Sequence, residues 1–224
     1  HPEELVIRAA ELGYSALAIT DEQSLAGVVR AHAAANSAGL KLLVGARIRP
    51  VDAPGIVLLA TDRASYGRLA QLITLGRRRE KKGSCRLMVK DLADHAKDLH
   101  AAVSVEDFIA AEETEVKEQI RSQLKTYHDI FGARCSLLTS LHLGRDDRGK
   151  IGKLQTLSRS IKIPLVASGS VLYHKRDRRP LHETLTAIRH STTIKQIRTL
   201  LPCNAERHLR PIPEIHRLFT KAPE

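Results

Sequence analysis

Short apolar runs recurring between helix-patterned stretches constrain this chain more than any other feature. Six of them read as buried strands: Ser15 to Thr20 (SALAIT), Leu40 to Ile48 (LKLLVGARI), Gly55 to Ala60 (GIVLLA), Leu99 to Val103, 135–143 (CSLLTSLHL) and Ile163 to Ser168 (IPLVAS). A helix is predicted over about 3–12, where Pro2 suits the first turn, Glu3 and Glu4 suit the positive helix start, and Gly13 supplies the stop. Asp21-Glu22-Gln23-Ser24 reads as the start of an alanine-rich helix over 25–38 that ends at Gly39. Asp62 reads as the N-cap of a helix with Tyr66, Leu69, Leu72 and Ile73 on one stripe. Further helices are expected over 89–97, from the acidic stretch Glu106 to Glu118 on to Phe131, over 147–160, and in the tail at Pro180 to Arg189, Thr193 to Thr199 and Pro213 to Phe219. Strands spaced by helices of roughly ten to fifteen residues predict βαβ units with parallel pairing, closed into a barrel or left as an open sheet. In either case ligands belong at the carboxyl ends of the strands, which singles out Asp21, Glu22, Arg47, Asp62, Ser104, His142 to Arg145 and Ser168 to Ser170.

The chain has 224 residues, enough for one large α/β domain with a real core. No apolar run approaches the roughly 18–20 residues of a membrane span. Cys85, Cys135 and Cys203 lie far apart and in no ligand-like spacing, which supports neither a disulfide framework nor a zinc site and fits a reducing, cytoplasmic setting. The net charge of +11 attracts polyanions over roughly 8–10 Å, and nucleic acid is the commonest such partner. A merely basic solvated surface is the other reading. Aromatic residues are only 3% with no Trp, so phosphate attraction is favoured over base stacking.

A hydrolytic metal site needs several His and carboxylate ligands at one spot. None of the eleven histidines forms an HxH, HxxxH or HxxE pair at a predicted strand end, and His142, just after a strand, is the best single candidate. Asp21-Glu22 sits at a strand mouth, either as a helix cap or as a functional pair. Arg47, at the next mouth, is always protonated and cannot hold a cation, so it is expected to pair with Asp21 or Glu22. Phosphate-loop, dinucleotide and nucleophile-elbow motifs are absent from the sequence. Two basic clusters remain, Arg77, Arg78, Arg79, Lys81 and Lys82, then Lys175, Arg176, Arg178 and Arg179, as nucleic-acid or partner contacts or as solvated loops.

Several patterns, taken in order, resemble one family. They are Thr20-Asp21 after an apolar strand, Ser24-Leu-Ala-Gly27 with Ala31-His32, Gly39-Leu-Lys-Leu-Leu-Val-Gly45, Leu58-Leu-Ala60 with Thr61-Asp62, Pro164-Leu-Val-Ala167 with Tyr173-His174, Asp177-Arg178-Arg179 leading to Leu185-Thr-Ala-Ile-Arg189, and Asn204-Ala-Glu-Arg-His-Leu209. Together they resemble the polymerase-and-histidinol-phosphatase (PHP) domain of bacterial C-family DNA polymerases, most closely the error-prone, damage-inducible branch, over nearly the whole chain apart from about 85–135. The resemblance implies an α/β fold, a distorted (β/α)7 PHP-type barrel with its first strand missing from this chain. It implies a single N-terminally trimmed domain over 1–224, with palm, fingers and thumb downstream. It also implies a part in DNA damage tolerance and translesion synthesis, with magnesium for the parent polymerase and no cofactor for this domain. The partners implied are the downstream polymerase domains, DNA, the sliding clamp and damage-tolerance accessory proteins, with no membrane.

Active members of the family hold a trinuclear metal cluster, and this sequence departs from their ligand pattern. Glu22 stands where they carry a histidine, Arg47 replaces an acidic ligand in Gly45-Ala46-Arg47, and a terminal Asp-x-His becomes Ser170-Val171-Leu172. Asp21, Glu22, Arg47, Ser170 and Leu172 are therefore expected to form a degenerate, metal-free and non-catalytic pocket. The alternatives are a metal-dependent phosphoesterase or 3′–5′ exonuclease using Asp21, Glu22 and His142, and a free-standing basic scaffold binding nucleic acid through Arg77 to Lys82.

Overall fold

A computed structural model describes residues 1–105, 108–109, 111–144 and 147–220. Glu106 and Asp107, at the head of the acidic stretch, and Arg145 lie outside the described residues. One six-stranded sheet runs in sequence order: β1 (Ala16–Glu22), β2 (Lys41–Ile48), β3 (Ile56–Ala60), β4 (Leu99–Ser104), β5 (Cys135–Thr139) and β6 (Leu165–Ala167). The helices include α1 (Pro2–Glu11), α2 (Val28–Ala38), α3 (Arg63–Arg78), α4 (Val89–His95), α5 (Thr114–Phe131), α6 (Asp147–Ile161), α7 (Arg179–Arg189) and α8 (Ile212–Phe219). The sheet curls into a half-barrel.

Pairing is parallel for β1–β2, β4–β5 and β5–β6, but β3 runs antiparallel to both β2 and β4. This corrects the expectation of uniform parallel pairing. Residues 49–55 are too few for a crossover, which needs about a dozen, so the chain must turn back on itself between β2 and β3. Asp21 and Glu22 also prove to be the last residues of β1 rather than the start of a helix. Asp21 still caps at a distance, its carboxylate accepting the Gly27 N–H at 2.7 Å just ahead of α2. A Cβ at Gly27 would stand 2.6 Å from that carboxylate oxygen and would push the Asp21 side chain aside. Residues 193–199 form turns rather than a helix. Asp62 caps α3 as expected, accepting the Ser65 N–H at 2.7 Å.

The core lies between the sheet's outer face and the helices. Ile48, Ile56, Leu58, Leu99, Val103 and Leu137 pack there in one cluster with Leu69, Leu72, Leu124, Tyr127, Phe131 and Leu154. A second cluster joins Val6, Ala9, Ile19, Ala31, Ala35 and Leu209 across α1, α2 and β1. The alternate residues of each strand turn the other way and line a concavity of about 1040 Å³, with Thr20, Arg47, Val57, Ser104, Ser136 and Val166 contributed by successive strands.

The tail closes the gap between the two edge strands. Asn204 Nδ2 donates to the His142 carbonyl at 2.6 Å, Arg207 Nε to the Ser170 carbonyl at 3.0 Å, and Tyr14 Oη to the Arg210 carbonyl at 2.8 Å. The strap thus runs from the ends of β5 and β6 to the chain that enters β1. Arg210 pins it: its side chain is only 6% exposed, donates to the Leu141 carbonyl at 3.0 Å and pairs with Glu206 at 2.9 Å. A buried guanidinium is tolerated only with such pairing. At the far side, Arg79 grips the buried Asp91 through both carboxylate oxygens, at 2.5 and 2.8 Å, and so fastens the end of α3 to α4.

Two outcomes follow from these anchors. Replacing Arg210 by Met leaves the Leu141 carbonyl without its donor and Glu206 with only the exposed Arg176, at a cost of about 3 kcal/mol. Hydrogen exchange should then quicken in 203–219 while β2 to β4 stay protected. Arg79 holds the Asp91 carboxyl below its ordinary value, so its contribution is full above about pH 4 and fades as pH falls through the depressed value. In thermal denaturation the deficit of Asp91→Asn should therefore be largest near pH 6 and shrink toward pH 3.

Candidate functional site

The strand directions bring one set of ends together. The carboxyl ends of β1, β2, β4, β5 and β6 and the amino end of β3 share one rim, because β3 alone is reversed. Asp62, which follows β3, consequently sits at the opposite end, where it serves only as the α3 cap. Asp21, Glu22, Arg47, Ser170 and Leu172 all line the concavity described above, together with Ser104 and Ser168.

Glu22 and Arg47 are direct partners in the β1–β2 register, yet no ion pair joins them. Glu22 instead binds Arg49 Nε at 3.0 Å, and Asp21 is held by the Gly27 N–H. The expected pairing of Arg47 with either acid is thus corrected. The Asp21 carboxylate is turned to the amide ahead of α2, and Glu22 is taken by Arg49, two residues beyond Arg47 on the same chain. Arg47 is half-buried, and among the described residues no carboxylate lies within ion-pair distance of it. Its Nε passes within 4.0 Å of where a Cβ would stand on Gly55, whose carbonyl accepts the Ser104 N–H at 2.8 Å.

Across the rim, His142 Nε2 lies 3.2 Å from the Gly169 carbonyl. Burial, joined by the positive charges of Arg207, Lys150 and Arg210, pushes its pKa below the usual histidine value against the effect of that hydrogen bond. Lys150 donates to the Ser140 carbonyl at 3.0 Å. Ser170 adopts the left-handed region at φ 43, its N–H bonded to Ser168 Oγ at 3.1 Å, and Leu172 donates its N–H to the Arg207 carbonyl at 2.8 Å. Asn204, Glu206 and Arg207 belong to the Asn204 to Leu209 run, which the sequence does not connect with the strand ends, and Lys150 and Arg210 carry no motif; the fold brings all five to the carbonyls and ion pairs that follow β5 and β6. Among the described residues no three His, Cys, Asp or Glu side chains gather where they could hold a metal ion.

The two basic clusters lie elsewhere, and many of their members have internal partners. Arg77 donates to the Gln23 carbonyl at 3.0 Å and Arg79 is bound to Asp91. Arg176 binds Glu206 at 3.2 Å, Arg178 binds Glu4, and Arg179 binds Glu183 at 2.6 Å. Arg78, Lys81, Lys82 and Lys175 are exposed and form no ion pair among the described residues. Arg77 and Arg78 belong to the last turn of α3 rather than to a loop.

The geometry agrees with comparisons to known proteins. The chain is 41% identical over 227 residues to an error-prone DNA polymerase of Rhodopirellula baltica, covering 100% of this chain and 20% of that protein. It is 44% identical over 222 residues to an error-prone DNA polymerase of Methylococcus capsulatus, covering 99% of this chain and 20% of that one. It therefore spans about 20% of the length of these relatives. A crystal structure from Bifidobacterium adolescentis, described as a candidate metal-dependent phosphoesterase, shares the fold with a TM-score of 0.50 at 13% identity, over 75% of this chain and 81% of that one. The profile of the PHP domain matches residues 1–138. With more than half of its length matched, and with strand ends gathered at one rim, this chain belongs to the PHP domain family.

Proposed function

We propose that this chain is the N-terminal PHP domain of an error-prone DNA polymerase, that it holds no metal, and that it performs no phosphoester hydrolysis of its own. Its role is structural and DNA-proximal, within a longer polymerase that acts in damage tolerance and translesion synthesis in the cytoplasm. Nucleotidyl transfer, with its magnesium, belongs to a palm outside this chain. DNA, the sliding clamp and damage-tolerance accessory proteins are partners of that longer protein.

The observation that carries the metal-free reading is Arg47 on the rim. A divalent cluster needs several anionic or imidazole donors, and the residues here do not fit one. Asp21 is engaged by the Gly27 amide and Glu22 by Arg49, while Ser170 and Leu172 bring no charge. A fixed guanidinium about 4 Å from a divalent ion would oppose it by about 8 kcal/mol at an effective dielectric of 20. The exonuclease reading asks His142 to join Asp21 and Glu22, but its ring faces the Gly169 carbonyl amid Arg207, Lys150 and Arg210.

Support for a place within a longer chain comes from α7. Leu181, Leu185 and Ile188 recur at helical spacing on one face and are 47%, 56% and 67% exposed. A large apolar stripe of this kind marks an interaction surface, here suited to other domains of the same polypeptide.

Metal analysis and a nuclease assay test the reading together. Protein exchanged into manganese or zinc and then desalted should carry far less than one metal ion per chain and leave a 3′-labelled single strand intact. Stoichiometric metal accompanied by metal-dependent 3′–5′ degradation would overturn the proposal.

A further inference from the structure

The rim presents positive charge and hydroxyl groups to an open concavity. Arg47 is half-buried there with no carboxylate in ion-pair reach among the described residues, because Arg49 takes Glu22 and the Gly27 amide takes Asp21. A partly desolvated guanidinium is better satisfied by an anion than by water alone, and its planar fork matches phosphate oxygens. Ser104, whose amide is fixed on the Gly55 carbonyl beside Arg47, has a hydroxyl that makes no hydrogen bond among the described residues. On the opposite side, Ser140 lines the concavity, and its carbonyl accepts from Lys150 behind it at 3.0 Å. The space of about 1040 Å³ also has apolar walls, including Leu138 and Val166, and is ample for a nucleotide unit.

We propose that the rim is a metal-independent site for a phosphate group of a nucleic-acid strand, with Arg47 as its counter-charge and Ser104 as a supporting donor. The scarcity of aromatic residues, 3% of the chain, means that the strand is held by its backbone with little base preference. The inference rests on the reading that no metal occupies the rim, and the two fail separately. Bound metal would remove that reading, whereas a metal-free protein indifferent to phosphate would remove this one.

The test is fluorescence anisotropy of a labelled single-stranded DNA oligonucleotide in EDTA, at fixed salt. Arg47→Ala should weaken binding at least tenfold and lower the salt slope by about one. Lys41→Ala, at the other end of β2, should change binding less than twofold. Arg47→Lys, which keeps the charge but loses the fork, should fall between wild type and Arg47→Ala. Unchanged melting temperature of the Arg47 variants excludes misfolding as the cause. Competition by a nucleoside monophosphate and by inorganic phosphate separates the sources of the anion. Weaker competition by both than by unlabelled oligonucleotide supports a strand, and a site that takes the monophosphate but ignores the oligonucleotide overturns it. Equal losses in Arg47→Ala and Lys41→Ala would mean diffuse surface attraction and would likewise overturn the proposal.

Discussion

Period-two alternation along β2 is the constraint on which the rest of this structure depends. Ala46 and Ile48 are both fully buried in the core beneath the helices, so the residue between them must face the concavity. That residue is Arg47. Turning it away would require a register slip that exposes every core residue of the strand. The positive charge at the rim is therefore fixed by the same packing that stabilises the sheet. Glu22, opposite it in register, is drawn off by Arg49.

The second determinant is the tail. An open six-stranded sheet leaves two edges, and the segment containing Asn204, Arg207 and Arg210 spans them by bonding to the ends of β5 and β6 and to Tyr14. It buries one arginine to do so, balanced by Glu206 and Glu214, with Glu214 at 3.5 Å. The strap sets the positive surroundings of His142, and α8 beyond it places Leu218 and Phe219 on the same concavity. Local fold, rim electrostatics and the shape of the site are thus one arrangement.

Much of this was legible in the residues. Apolar runs marked all six strands, Asp62 announced the start of α3, and ordered short motifs pointed to the PHP family that the profile then matched over 1–138. Asp21, Glu22, Arg47, Ser170 and Leu172 do meet in one concavity. What stayed unread had two sources, the shortness of one connection and contacts distant in sequence. The direction of β3 follows from a connection too short to cross over, which runs of hydrophobicity do not report. Arg49 outcompetes Arg47 for Glu22 through geometry beyond the strand end. The basic cluster ending at Lys82 reads as a contact surface or a solvated run, yet Arg79 is tied to Asp91, whose burial only the packing of α3 on α4 creates.

The central claim is that a PHP fold has kept its rim while exchanging a cation-binding pocket for an anion-binding one. Crystals soaked in parallel with manganese and with inorganic phosphate offer the most direct measurement. The account predicts phosphate density within hydrogen-bond distance of the Arg47 guanidinium and no anomalous manganese peak at the rim. Manganese bound by Asp21 or Glu22, with Arg47 swung away and no phosphate beside it, would contradict it.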